Sequence, residues 1–147
     1  MLEQYLSASR ILTGARADSL EEAVLLCGGL LTTDGAASEH YPQAMLETVR
    51  ELGPYAVMAP RVAVPHARPD RGGLFPAVAL VFLREPIPFE SSNGPVRVIA
   101  GFCGVDDESH MALLSALIPL ISNRALLESA AAAKTPEEVL LRIKAGL

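Results

Sequence analysis

Two of the three histidines in this chain stand where an imidazole has chemistry to offer. His66 closes a short apolar run, with Pro65 before it and Arg68 two residues after, inside the segment from Met58 to Asp70. The ordinary histidine pKa of about 6.5 leaves a neutral ring nitrogen able to attack phosphorus near physiological pH. A phosphohistidine formed that way needs donors around its anionic oxygens, and Arg68 is placed to supply some. The competing reading is a structural histidine, stiffened by Pro65 and hydrogen-bonded at a strand end.

His110 follows Asp106-Asp107-Glu108-Ser109. Either aspartate suits a helix N-cap, which puts His110 in a first turn whose free amides and dipole favour an anion. His110, Leu113, Leu114, Leu117, Ile118 and Ile121 keep the spacing of one buried helix face, so His110 heads that face and points toward the sheet. Alone, it reads as a residue closing off a core. Two histidines that each follow an apolar strand point instead to one shared site.

The elements that must hold these residues alternate in type, as in an α/β domain. Ile11 and Leu12, within Ser7 to Ala17, suit an opening strand or an irregular entry. Ser19-Leu20-Glu21-Glu22 is a capping box. Its helix shows Leu20, Ala23, Val24 and Cys27 on one face and ends at Gly28-Gly29 or at Asp34-Gly35. A second helix starts near Tyr41 with Pro42 in its first turn, and Gly53-Pro54 stops it. Tyr55 to Val64 reads as β structure broken at Pro60, and Ala77 to Leu83 and Val96 to Phe102 as strands. Pro86, Pro88 and Asn93-Gly94 mark turns between those two strands. The last third is helical, from Glu108 to Ile121, from Arg124 to Ala133, and from a capped start at Thr135-Pro136. Pro119 inside the first of these costs about 3 kcal/mol unless the helix kinks or stops near Ile118, so a kink is expected there.

A length of 147 residues allows one domain with a sizeable core. Half the residues are hydrophobic, yet no apolar run reaches the roughly 18–20 residues of a membrane span. Glu3, Gln4 and Ser7 interrupt the start of the chain, so a signal peptide is not expected and a cytoplasmic setting is. Cys27 and Cys103 lie in apolar periodic segments and read as buried thiols. The net charge of −5, with no basic patch, argues against nucleic acid. No G-x-x-x-x-G-K loop is present to hold ATP, so a phosphoryl donor would be a protein. A metal-dependent hydrolase built on His66, His110, Asp70 and His40 lacks H-E-x-x-H or H-x-H spacing, and no metal or other cofactor is expected.

Taken in order, Gly53 to Asp70, the strand pair, and Asp106 to Leu117 resemble the enzyme IIA domains of the bacterial phosphoenolpyruvate-dependent sugar phosphotransferase system. The resemblance is to the mannitol/fructose class, covers essentially the whole chain, and is most like the ascorbate-type branch in Gly53-Pro54-Tyr55 and in Ala67-Arg68-Pro69-Asp70. It implies one domain over residues 1–147, with a central mixed β-sheet flanked by α-helices in three α/β/α layers. It implies that His66 takes a phosphoryl group from the carrier protein HPr and passes it to a cysteine of enzyme IIB, with membrane enzyme IIC served indirectly. His110 would donate to the phosphoryl oxygens or orient the His66 ring. Arg50, sixteen residues before His66, stands where mannitol-type members carry a phosphoryl-binding arginine. Arg61 departs from the pattern, because that position is usually glycine; it adds charge to the site if it points inward and alters docking if outward.

Leu74, Phe75 and Phe89 are the candidates for an apolar docking rim around His66. A homodimer is compatible with the chain but would need an apolar patch that the sequence does not reveal. The alternative output is regulatory, with the same His66 chemistry controlling binding to other proteins rather than feeding a transporter. The transported sugar does not touch such a domain, so no residue here specifies it.

Overall fold

Helix starts are where the local sequence decides most. In the computed structural model, which describes residues 1–147, four of the five helices begin on a side chain that accepts from an otherwise unpaired amide. Ser19 caps α1 (Leu20–Thr33), Asp106 caps α3 (Asp107–Ile121), Asn123 caps α4 (Arg124–Ala132) and Thr135 caps α5 (Pro136–Gly146). Each such cap contributes about 1 kcal/mol. The expected box at Ser19 forms with one change: Glu22 accepts from the Asp18 amide, one residue before the cap. Helix α2 (Tyr41–Leu52) has no side-chain cap; Pro42 occupies its first turn and Gly53 ends it.

Of the two endings open to α1, the structure takes the later. The helix runs through Gly28-Gly29 to Thr33 because Gly28 is a contact point: a Cβ there would lie 2.7 Å from Cβ of Pro42. The missing side chain lets α1 and α2 close on one another.

The strands form one mixed sheet in the order β1-β4-β5-β3-β2, with β1 Ile11–Ala15, β2 Val57–Ala59, β3 Val62–Ala63, β4 Ala77–Ile87 and β5 Val96–Cys103. β1 is parallel to β4 and β3 to β5, while β4–β5 and β2–β3 are antiparallel. One core of 25 buried residues lies on the side of α1 and α2, and another of 22 lies on the side of α3, α4 and α5. Near-equal cores on both faces make this a three-layer α/β/α domain and leave β4 and β5 buried on both sides. No single helix is long and apolar enough to cross a membrane.

Several details correct the sequence reading. β4 continues through Pro86 to Ile87, so that proline lies inside the strand and not in a turn. α3 continues past Pro119 to Ile121, and the change of direction comes at Ser122-Asn123, where α3 and α4 meet at 83°. Pro119 and Ser115, whose carbonyl loses its helical partner, are both on the solvent side, where the missing bond costs less than it would in the core. The buried face of α3 is Leu113, Ala116, Leu117, Leu120 and Ile121; Ile118 is exposed. Cys27 and Cys103 are buried free thiols, and burial pushes them up to about 12 and about 11.

Candidate functional site

Parallel β3 and β5 deliver their C-terminal ends to the same edge of the sheet. β3 leads through Val64-Pro65 into His66, and β5 leads through Gly104-Val105 into α3. The loop after β3 is pinned on both sides of the histidine. The Val64 amide donates to the Ala56 carbonyl at 3.1 Å, and the Phe102 amide donates to the Pro65 carbonyl at 3.3 Å. The fully buried Tyr41, first residue of α2, reaches across from the other core. Its hydroxyl donates to the Phe102 carbonyl at 2.8 Å and accepts from the Ala67 amide at 3.1 Å. One phenol thus joins α2, the end of β5 and the residue after His66.

Three rings meet at this edge. His66 stacks on Phe102 with centroids 4.8 Å apart and planes at 15°. His110 stands edge-on to both, 5.3 Å from His66 and 5.1 Å from Phe102. Gly104 makes room for it: a Cβ there would lie 2.9 Å from the His110 amide nitrogen. His66 Nδ1 is 2.8 Å from the Val64 carbonyl oxygen. A carbonyl only accepts, so Nδ1 carries the proton and Nε2 keeps its lone pair. His110 Nδ1 is buried without a hydrogen-bond partner, a condition that costs about 1–3 kcal/mol.

Burial lowers the pKa of His66; the Val64 carbonyl bond opposes that shift and His110 adds to it. Burial also lowers His110, against an opposing pull from Asp107. Both rings are therefore neutral at neutral pH. Such a pair can offer a lone pair to an electrophile and a polarisable N–H to what it carries, which is the geometry of a group-transfer site.

The structure brings His66 and His110 together and leaves the two expected cations outside the pair. Arg68 lies at the same end of the molecule, but it is 81% exposed and donates to Asp70 at 3.0 Å. Arg50 is held by Glu21 through bonds of 2.8 and 3.1 Å. Glu21 sits in the first turn of α1, just after Ala15, whose partner Leu83 lies toward the far end of β4 from the histidines. Arg61 is also distant, at the start of β3, so it lines neither the ring cluster nor its rim. His40 is at the N-cap of α2, and no group of three His, Cys, Asp or Glu side chains converges anywhere in the chain.

The expected rim changes in one member. Leu74 and Phe75 are exposed just before β4, at the histidine end. Phe75 lies under the Arg10 guanidinium, 5.9 Å from ring to cation, and is partly committed there. Phe89 packs at the opposite end, beyond Ile87. Exposed Val105 and Met111, which flank the start of α3, take its place beside Leu74. Sequence reasoning also missed Phe102 and Tyr41. Phe102 belongs to a strand buried on both faces, where no alternation tells which face a residue takes. Tyr41 looked like an ordinary helix start.

Two neutral imidazoles at one strand edge of an α/β/α sheet make a site suited to group transfer. The chain belongs to the family described as phosphoenolpyruvate-dependent sugar phosphotransferase system, EIIA 2, which it matches over residues 4–146. It is 30% identical over 145 residues to the mannitol-specific cryptic phosphotransferase enzyme IIA component of Escherichia coli, covering 99% of each chain. It is 33% identical over 128 residues to the ascorbate-specific PTS system EIIA component of Salmonella choleraesuis, covering 86% of this chain and 83% of that one. Among solved structures, it matches the complex of enzyme IIAMTL and phosphorylated enzyme IIBMTL from Escherichia coli, with a TM-score of 0.81 and 26% identity over 95% of this chain and 97% of that one. Mannitol-type and ascorbate-specific relatives thus stand at similar identity, and the chain resembles both branches.

Proposed function

We propose that this protein is the phosphocarrier of a sugar phosphotransferase system in the cytoplasm, with His66 Nε2 as its phosphoryl acceptor. The observation that carries the reading is the Nδ1–H bond to Val64, which fixes the tautomer and leaves Nε2 as the nucleophile beside a second neutral imidazole. The lone pair of Nε2 attacks phosphorus of the phosphohistidine on HPr. As the new N–P bond forms, the old one breaks, and its electron pair returns to the donor imidazole. In the second step a cysteine thiolate of enzyme IIB attacks the same phosphorus, and the pair returns to Nε2. Proton bookkeeping on His66 is nil, because Nδ1 keeps its proton throughout.

His110 is the group that answers the arriving charge. Its buried Nδ1 has no partner, and a phosphoryl oxygen supplies an acceptor once that nitrogen holds the ring's proton. Arg68 joins by exchanging Asp70 for a phosphoryl oxygen, a small step for an exposed ion pair. Arg50, occupied by Glu21, is left out of the machinery. Leu74, Val105 and Met111 form the apolar docking rim for HPr and enzyme IIB. The structural likeness to an enzyme IIA seen in complex with phosphorylated enzyme IIB supports a partner of that kind. Similar relatives name mannitol and ascorbate, so uptake of a sugar or of ascorbate is the proposed output.

The test is incubation with phosphoenolpyruvate, enzyme I and HPr, followed by intact mass and nitrogen-resolved NMR. One acid-labile phosphoryl group on Nε2 is expected, and none on His66→Ala. Full labelling of that variant would sink the acceptor assignment. A regulatory protein would share the labelling and differ only in failing to pass the group to enzyme IIB.

A further inference from the structure

The sequence departure at Arg61 marks a second place of interest. Pro60-Arg61 forms the two-residue turn between β2 and β3, and Arg61 is the chain's one non-glycine residue with positive φ, at 66°. Proline followed by a residue of positive φ is the demand of a turn that glycine ordinarily fills. The backbone holds Arg61 there firmly. Its amide donates to Asn93, and its carbonyl accepts from Arg97 and Val98 at 2.9 and 3.1 Å. A large side chain kept in a strained conformation is a reason to look for a use.

Arg61 lines a cleft of about 300 Å³ between the start of β3 and α4. Arg97 and Arg124 line it as well, against a single carboxylate, Glu128. Arg97 spends Nε on the Leu83 carbonyl at 2.7 Å, which orients its two terminal nitrogens without pairing them. Arg61 makes no ion pair, and Arg124 pairs weakly with Glu128 at 3.4 Å. This is a net positive site on a chain whose net charge is −5. Val98 and Leu127 supply apolar wall. The volume is at the small end of ordinary ligand pockets.

We propose that this cleft binds a small phosphorylated organic molecule: a phosphate monoester on a ring-sized body. Three guanidinium groups against one carboxylate match a dianion, and their planar forks suit phosphate oxygens. A simple carboxylate would leave half that charge unanswered, and the apolar wall has no role toward a bare inorganic ion. The site is separate from His66. Four residues separate Arg61 from His66, and the two lie at opposite ends of β3.

Phenyl phosphate is the probe, measured by calorimetry and amide NMR shifts at about 0.15 M salt, where remote charges are screened. Saturable binding is expected, with shifts centred on Arg61, Val98, Arg124 and Leu127. Arg61→Gly removes one guanidinium, gives the turn its easiest residue, and should weaken binding about tenfold, the order of one charge-assisted hydrogen bond. Arg124→Gln should weaken it to a lesser degree, and inorganic phosphate and phenol should each bind at least about tenfold less tightly than the ester. His66→Gln should bind phenyl phosphate as wild type does. Absence of saturable binding, wild-type affinity in Arg61→Gly, equal affinity for inorganic phosphate, or loss of binding in His66→Gln would each overturn the proposal.

Discussion

The two ends of β3 solve opposite electrostatic problems. At the C-terminal end, burial holds His66 and His110 below their ordinary pKa, and Arg68, two residues after His66, is lent to Asp70. At the N-terminal end, three arginines line one cleft. A group that must be received and then surrendered is served by the first arrangement, because deep stabilisation of the loaded state would stop onward transfer. A ligand that is to be held is served by the second. On the two proposed readings, the chain sets its densest positive charge where a ligand is held and keeps its reactive pair neutral.

The largest effect that sharpens the contrast is at the acceptor. His66→Gln should abolish labelling from phospho-HPr, while Arg61→Gly should keep the wild-type rate. His110→Ala should still be labelled but pass the group on at least about tenfold more slowly, as expected where a general acid–base or charge-stabilising partner is lost. Wild-type onward transfer in that variant would reduce His110 to a packing residue.

Next comes the hydroxyl of Tyr41. Tyr41→Phe orphans the Ala67 amide and the Phe102 carbonyl, both buried, and should cost about 1–3 kcal/mol in urea unfolding. It should also slow phosphoryl acceptance, since the loop holding His66 loses one of its ties to β5 and its tie to α2. Unchanged stability would mean that water or another donor replaces the phenol.

Acid separates the two ends with a smaller effect. The unfolded chain takes up protons on its histidines below about pH 6.5, whereas folded His66 and His110 resist until their lowered pKa values are reached. Their contribution to stability is therefore complete above that pH and falls as the pH drops through it. Replacing both histidines with glutamine should flatten this part of the stability profile. Phosphorylation of His66 should reverse the shift at His110, because a dianion beside the ring favours its protonated form; NMR titration of the two states reads this directly.

The smallest effect is on the turn itself. Arg61→Gly relieves the left-handed conformation but gains unfolded-state entropy, so the net rise in Tm should not exceed about 2–4 °C. A marked fall would show that the guanidinium stabilises the fold.

What could be read beforehand followed the local rules. Ser19, the Asp106-Asp107 pair and Thr135 announced their helices because a cap is a short-range interaction, and the structure takes Asp106 of the pair. The pairing of His66 with His110 was legible because each follows a strand that ends in the same layer. Features set by three-dimensional packing were not. The solvent placement of Ile118 depends on which ridge of α3 meets the sheet, and the stack of Phe102 on His66 depends on the face β5 gives it. Arg50 matched a family position yet is engaged by Glu21, because a guanidinium takes the carboxylate that the fold brings near it.

The stack on Phe102 has a stereochemical consequence. One face of the His66 imidazole is covered, His110 crowds its surroundings, and Nδ1 is turned inward to Val64. On the proposed reading a phosphorus centre reaches Nε2 along a single direction, close to the plane of the ring, whether it arrives or departs. Donor and acceptor proteins must then occupy the same ground in turn. On that reading the carrier is a shuttle with one berth, its two partners would compete for it, and an excess of either one would slow the traffic through both.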